Sequence, residues 1–405
     1  MSSKKMWSAA FAASVAALAF QPAAGLAADP GVTNNEITIG LFAPMSGQLA
    51  NFGFDPLQAA KMWYEDVNKK GGINGPKIKT LVEDAKCNPT EAVAVVKKLV
   101  TVDNVFLVNG GSCTAAAVAV QEFVTREKVP FVMLNAAGDG AVHPPTKYVY
   151  GAFGGTQRSV GATLMEFAVK ELKGKKIAYF ADDNEFGNAN FATAKATADR
   201  LGVEIVTAER LSPGKTTDVT AQMLKARQAQ PDVIISAAYP AGTVLLVQKY
   251  GEYAMSKIPF VIAVQGIPDP VVFAKNVGND AALANVYYSS PLNDLTEGPK
   301  QQKWLAMYKQ YYPDRKPTAY MTYGLPAAMA VTRALQKAGR DLTREKFIAA
   351  MDTTNFESDV LAGPTVFGPN RRDGYRSSIF IKFDGKNSKL MPGSYTWNGT
   401  DGALK

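Results

Sequence analysis

The chain alternates between short apolar runs and longer stretches with apolar residues at helical spacing. Residues 37–42 (Ile-Thr-Ile-Gly-Leu-Phe) read as a buried strand, 57–68 as an amphipathic helix ended by Gly71-Gly72, and 77–82 as a second strand. Helix 89–100, strand 105–108, helix 114–127 and strand 129–134 continue the series. Strands that are apolar throughout and separated by helices predict a parallel sheet covered on both faces. A second series follows Tyr148-Val149-Tyr150, with helix 158–172, strand 176–180, helix 185–201 closed by Gly202, strand 203–206, helix 217–228, strand 233–237, helix 242–253 and strand 259–264. Strand 286–289 is expected to return to the first lobe, followed by helices 298–311, 320–338 and 344–351. Residues 377–397 have short alternating stretches that predict edge strands or a hairpin. The fold class is therefore α/β, with two doubly wound lobes in tandem and a ligand cleft at the carboxyl ends of their strands. Lobe 1 is assigned to 29–152 plus 284–376 and lobe 2 to 153–283 plus 377–405.

The N-terminus sets the expected compartment. Lys4 and Lys5 precede an uncharged apolar stretch over 7–20, Gln21-Pro22 breaks it, and Gly25-Leu26-Ala27 supplies small residues for cleavage. This three-part pattern predicts a signal peptide over 1–28 and a periplasmic mature chain. The stretch is shorter than the roughly 20 residues of a membrane span. The formal charge of +8 becomes +6 without Lys4 and Lys5, and its Lys and Arg residues form no long run, so nucleic acid is not an expected partner. Cys87 and Cys113 are the only cysteines, which in an exported chain implies one disulfide, two free buried thiols being the alternative.

Catalytic chemistry is poorly supplied. His143 is the single histidine, in what reads as a surface turn before Pro144-Pro145, so a histidine-based triad or zinc site has almost nothing to draw on. There is no G-x-S-x-G elbow, no P-loop and no complete G-x-G-x-x-G after a strand, and no cofactor is expected. Gly138-Asp139-Gly140 reads as a turn, and Asp182-Asp183 as helix-capping acids at a strand end. One segment is chemically prepared. Strand 105–108 runs into Asn109-Gly110-Gly111-Ser112-Cys113-Thr114 and an alanine-rich helix, where hydroxyls beside free helix N–H groups make an anion site. The alternative is that Ser112 or Thr114 only caps that helix.

These residues resemble the periplasmic leucine/isoleucine/valine-binding proteins that feed ABC importers, over nearly all of the mature length. The resemblance is carried by Ile37-Thr38-Ile39-Gly40 with Ala43-Pro44-Met45-Ser46-Gly47, by the run from Asp66 to Gly75, and by Glu83-Asp84 with Cys87-Asn88-Pro89. Gly111-Ser112-Cys113-Thr114 and Phe186-Gly187 after Asp182 complete it. It implies two Rossmann-like lobes joined by three crossovers, a Cys87–Cys113 disulfide, and no enzymatic activity. It also implies a ligand-carboxylate site at the Thr114 hydroxyl with main-chain groups of Asn135, Ala136, Ala137 and Gly138, and the neighbouring Ser112 and Cys113 are further candidate ligand-binding residues. Aromatic ligand contacts are implied at Phe52, Phe186 and Tyr239.

The sequence departs from that family at two acids. Where its amino-acid binders place a glutamate for the ligand ammonium, this chain has Gln265, and a second acid aligns with Thr156, two residues before Arg158. A buried ammonium without a counter-ion is costly. The expected function is therefore the solute-binding component of an ABC importer for a small organic acid with an apolar or aromatic body, working with a permease in the inner membrane. A branched-chain amino acid remains the alternative ligand, with Asp182, Asp183 or Glu185 supplying the charge. A sensor or receptor on the same fold is the other alternative.

Overall fold

The computed structural model describes residues 29–399, apart from 48, 137, 154–156, 268, 296–297 and 319. The predicted signal segment, Ala137 and Thr156 thus lie outside the described residues. The first sheet contains β1 (Glu36–Ala43), β2 (Lys77–Asp84), β3 (Leu107–Gly110), β4 (Phe131–Met133) and β5 (Val149–Gly151). They are parallel and lie in the order β2-β1-β3-β4-β5. Strand pleating sends alternate residues to opposite faces. Ile37, Ile39 and Leu41 enter one core with Leu107 and Leu134, while Phe42 and Val108 enter the other. That division is why the central strands β3 and β4 are buried along their whole length.

The second sheet is built the same way. Its parallel part is β6 (Lys176–Asp182), β7 (Glu204–Leu211), β8 (Val233–Ala237), β9 (Phe260–Ile262) and β10 (Val286–Ser290). Ala178, Phe180 and Ile234 face one core and Ile177, Tyr179 and Ile235 the other. A minor two-stranded sheet joins β11 (Asn355–Phe356) to β12 (Thr365–Val366). The tail then adds β13 (Ser377–Phe383), β14 (Ser388–Leu390) and β15 (Tyr395–Thr396), so that the sheet runs β14-β13-β10-β9-β8-β6-β7 with β15 on β13. β13 and β14 form the expected hairpin.

One strand is placed differently from the sequence expectation. β10 does not return to the first lobe; it hydrogen-bonds β9 in parallel and β13 in antiparallel. The chain rejoins the first core only after it, through Leu292, Trp304, Tyr308 and the helix Leu325–Ala338. An apolar strand carries no mark of which sheet it joins, and the partner that holds β10 lies far along the chain. The first helix also begins earlier than expected, at Ala50 rather than 57, and includes Pro56.

Two local devices fix the loops at the carboxyl end of the first sheet. The Asp84 carboxylate accepts the Met45 N–H at 2.9 Å and the Ser46 hydroxyl, holding the loop after β1 against the end of β2. Cys87 and Cys113 form a disulfide with their Cα atoms 5.5 Å apart, linking the loop after β2 to the loop after β3. Its sequence separation of 26 residues corresponds to about 3 kcal/mol in the chain-entropy model. Replacing both cysteines by serine is expected to lower unfolding free energy by about that amount, measured by denaturant melts of mature protein, with the parent showing no free thiol by mass mapping.

Candidate functional site

The helix Thr114–Arg126 starts where β3 ends. Its N-cap residue is Cys113, in extended conformation, and that residue makes no side-chain hydrogen bond to the helix. Ser112 is buried, yet its Oγ has no hydrogen-bond partner among the described residues, and Thr114 is partly buried at the first helical position. Neither hydroxyl is recorded capping the helix. A buried hydroxyl beside unpaired helix N–H groups is a donor set for an anion.

The next loop differs from expectation in detail. The N–H groups of Asn135 and Ala136 both donate to the Gly111 carbonyl, at 3.3 and 3.1 Å. They therefore tie the two loops together instead of facing a ligand. The buried Asn135 side chain contributes instead, with Nδ2 donating to the Phe52 carbonyl at 3.1 Å and Oδ1 left without a partner among the described residues. Phe52 meets Tyr320 edge to face at 5.0 Å, and Tyr320 meets Tyr323 at 5.5 Å. Tyr320 thereby joins the candidate site, although the periodicity read it as the start of a helix. The helix proper begins at Leu325 after a 3-10 turn, and Pro326 near its start was the available signal.

The second lobe supplies the aromatic wall. Asn184 caps the helix Glu185–Leu201 through the Gly187 N–H at 2.9 Å. Gly187 is needed because a Cβ there would lie 1.9 Å from the Asp182 carbonyl oxygen. That close approach presents Phe186, which stacks on Tyr239 with rings 5.0 Å apart and 10° from parallel. Phe186 is covered, whereas Tyr239 is 38% exposed. Gln265 lies in a 3-10 turn just past β9, with Oε1 buried and unpartnered among the described residues.

Acidic groups border this wall. Asp182 is buried and its Oδ2 accepts the Tyr239 N–H at 2.9 Å. Burial raises its carboxyl to about 6, and that hydrogen bond only partly offsets the rise. Burial also raises the Tyr239 hydroxyl, helped by the charges of Asp182 and Glu185. Glu185 is exposed, and its Oε1 accepts the Gly140 N–H of the first lobe at 3.3 Å. Gly138, Gly140, Thr114 and Val118 are neighbours there.

His143 is not in a surface turn. It is largely buried, with Nε2 3.5 Å from Asp373 Oδ2 and 4.0 Å from Asp139 Oδ1, and its ring faces Trp397 edge to face. Gly138-Asp139-Gly140 opens a short helix, Asp139–Val142. Between that helix and Arg158, Glu185, Asn188 and Trp397 lies an open cavity of about 570 Å³.

The raised Asp182 carboxyl has a thermodynamic consequence. Its folded-state value lies above the unfolded value, so its contribution is full below about pH 3.9 and lost as pH rises through about 6. Asp182→Asn keeps an acceptor for Tyr239 and removes the charge. The variant's melting temperature is expected to gain on the parent's as pH goes from 5 to 8, measured by calorimetry; parallel curves would contradict this.

Comparison with known proteins follows this geometry. The model of the family described as periplasmic binding protein matches residues 36–387. The Leu/Ile/Val-binding protein homolog 7 of Brucella abortus is 26% identical, covering 85% of this chain and 87% of its own. Among solved structures, the fatty acid ABC transporter substrate-binding protein from Thermomonospora curvata superposes with a TM-score of 0.73 at 23% identity, covering 92% of this chain and 95% of that one. The solute-binding protein of an ABC transporter from Rhodopseudomonas palustris BisB5, solved with 3,4-dihydroxybenzoic acid, gives 0.73 at 22% identity over 89% and 97%. The two-lobed α/β architecture is shared with these structures, and no helix among the described residues is long and apolar enough to cross a membrane. The chain belongs to the periplasmic binding protein family.

Proposed function

We propose that the protein captures a small organic acid with an apolar or aromatic body and no α-amino group, by closure of its two lobes. The observation that carries this reading is the buried Ser112 hydroxyl, without a partner among the described residues, at a helix start that its N-cap side chain leaves open. With Thr114 and the helix N–H groups it would hold a carboxylate. The part-exposed Tyr239, backed by Phe186, and the Phe52–Tyr320 pair suit a ring or chain. The buried Gln265 Oε1 needs a donor, which a ligand hydroxyl supplies. The ligand of the Rhodopseudomonas protein, 3,4-dihydroxybenzoic acid, combines those three features.

The reading includes export by a signal peptide over 1–28, a periplasmic location and delivery to an inner-membrane permease. Lobe 1 then comprises 29–152 with the segment after Ser290 up to 376, and lobe 2 the remainder, a division supported by the pairing of β10.

A second reading keeps a branched-chain amino acid as ligand. It is favoured by the Glu185 carboxylate, which reaches the first lobe near Thr114 and could meet an ammonium. The name of the Brucella relative agrees with it. Against it, Gln265 is neutral and Asp182 already accepts the Tyr239 N–H.

Calorimetry of mature protein separates the two. Benzoate or 3,4-dihydroxybenzoate is expected to bind more tightly than leucine, valine or phenylalanine, and Gln265→Glu to weaken the acids. Tight leucine binding by the parent would reverse the assignment. Thr114→Ala is expected to cost about 1.5–3 kcal/mol of binding free energy, as for a hydrogen bond to a charged group. An unchanged affinity in a folded variant would remove Thr114 from the site.

A further inference from the structure

The turn that carries Gln265 is clamped from two sides by buried polar side chains of other elements. It is a single 3-10 turn, Val264–Gly266, closed by the Gly266 N–H donating to the Ala263 carbonyl at 2.8 Å. Such a turn leaves its leading N–H groups without acceptors inside it. The Val264 N–H finds one outside, the Ser289 hydroxyl oxygen, at 3.0 Å. Ser289 is 1% exposed and lies on β10, one residue beyond the pairing of Tyr288 with Ile262 of β9. On the other side Gly266 is crowded, since a Cβ there would lie 2.8 Å from Thr243 Oγ1 and 3.0 Å from the Ala238 carbonyl oxygen. Its φ is not in the left-handed region, so space and not backbone freedom calls for the glycine. Thr243 Oγ1 donates to that same carbonyl at 3.0 Å, at the start of the helix Pro240–Glu252. Ala238 immediately precedes Tyr239, whose N–H is held by Asp182. The Gln265 turn and the chain entering Tyr239 thus pack directly against each other.

We propose that Ser289 is a positioning residue for ligand selection, which fixes the Gln265 amide where it accepts from a ligand hydroxyl. The proposal rests on Gln265 as a ligand contact, the reading given above. Gln265 brings one buried acceptor, Oε1, without a partner among the described residues. Val264 and Gly266, the residues on either side of it, are each held by one side of the clamp. With Gly266 wedged against the helix start, loss of the Ser289 oxygen leaves Val264 free to move, and Gln265 moves with it. A hydrogen bond weakens steeply away from linear geometry, so a side-chain amide selects a hydroxyl only when the base of its stem is fixed. Ser289 therefore acts on the choice between acids with and without a hydroxyl. The carboxylate itself is read in the first lobe, at the start of the helix Thr114–Arg126. The placement of β10 in the second sheet, beside β9, is what brings Ser289 to this turn.

The test compares 3,4-dihydroxybenzoate with benzoate by calorimetry on the mature protein. One hydrogen bond gives the hydroxylated acid an advantage of roughly two- to tenfold. Gln265→Leu is expected to remove that ratio, and Ser289→Ala to lower it below about twofold. Ser289→Thr, which keeps the hydroxyl, is expected to restore it. The double variant should lose no more than Gln265→Leu alone, because both act through one contact. Amide hydrogen exchange at Val264 should quicken in Ser289→Ala and recover in Ser289→Thr. Thermal melts establish that each variant is folded. Unchanged exchange at Val264 in Ser289→Ala would overturn the proposal while leaving Gln265 in the site. An undiminished ratio in that variant, with both acids weakened alike, would overturn it too and make Ser289 a purely structural hydroxyl. If the parent shows no ratio, or the ratio survives Gln265→Leu, the hydroxyl contact of Gln265 and the role of Ser289 fall together. If leucine binds and the acids do not, the acid reading falls and the leucine affinities decide on Ser289. Non-additive losses from Ser289→Ala and Gln265→Leu then keep it as the positioning residue, and additive losses overturn it.

Discussion

Parallel strands buried on both faces can offer a ligand only their ends, and this constraint organises the whole molecule. Side chains along β1, β3, β6 and β8 are consumed by the two cores on either side of each sheet. The residues proposed for recognition come just after the strands: Ser112 and Thr114 after β3, Asn135 after β4, Phe186 after β6, Tyr239 after β8 and Gln265 after β9. The supporting bonds serve these loops. Asp84 and the disulfide hold the first-lobe loops, and Gly187 lets the Phe186 helix start close against its strand.

The site's electrical character follows from where its charges are spent. Burial favours the neutral form of Asp182 up to about pH 6, although the Tyr239 N–H stabilises the charged one. Glu185 is in water at the rim, where an ion is screened and interacts weakly. The innermost polar atoms without partners among the described residues are uncharged: the Ser112 hydroxyl and the amide oxygens of Asn135 and Gln265. A solute that brings one negative charge to a helix start and hydroxyl donors elsewhere fits that distribution.

Much of this was legible in the sequence, because strand and helix periodicities report burial and burial dominates the lobes. The strand after Pro259 and the turn at Gln265 could be read from apolar length and from a family motif. What escaped depends on partners distant in sequence. β10 is apolar like any other central strand, and only its pairing with β13 assigns it to the second sheet. His143 is followed by two prolines and reads as a surface turn, yet Asp373 and Trp397 fold over it. The Asn135 and Ala136 N–H groups looked free because their acceptor, Gly111, belongs to another loop.

The insertion of β13 between β10 and β14 also orders events during synthesis. A chain made from its N-terminus has all the strands of the first sheet by Gly151, but the helix Leu325–Ala338 that covers that sheet's core comes much later. The second sheet waits still longer, for Ser377–Phe383. Neither lobe has its full core until the last part of the chain is available, and contacts so distant in sequence form slowly. A nascent chain of this topology stays unfinished for most of its synthesis.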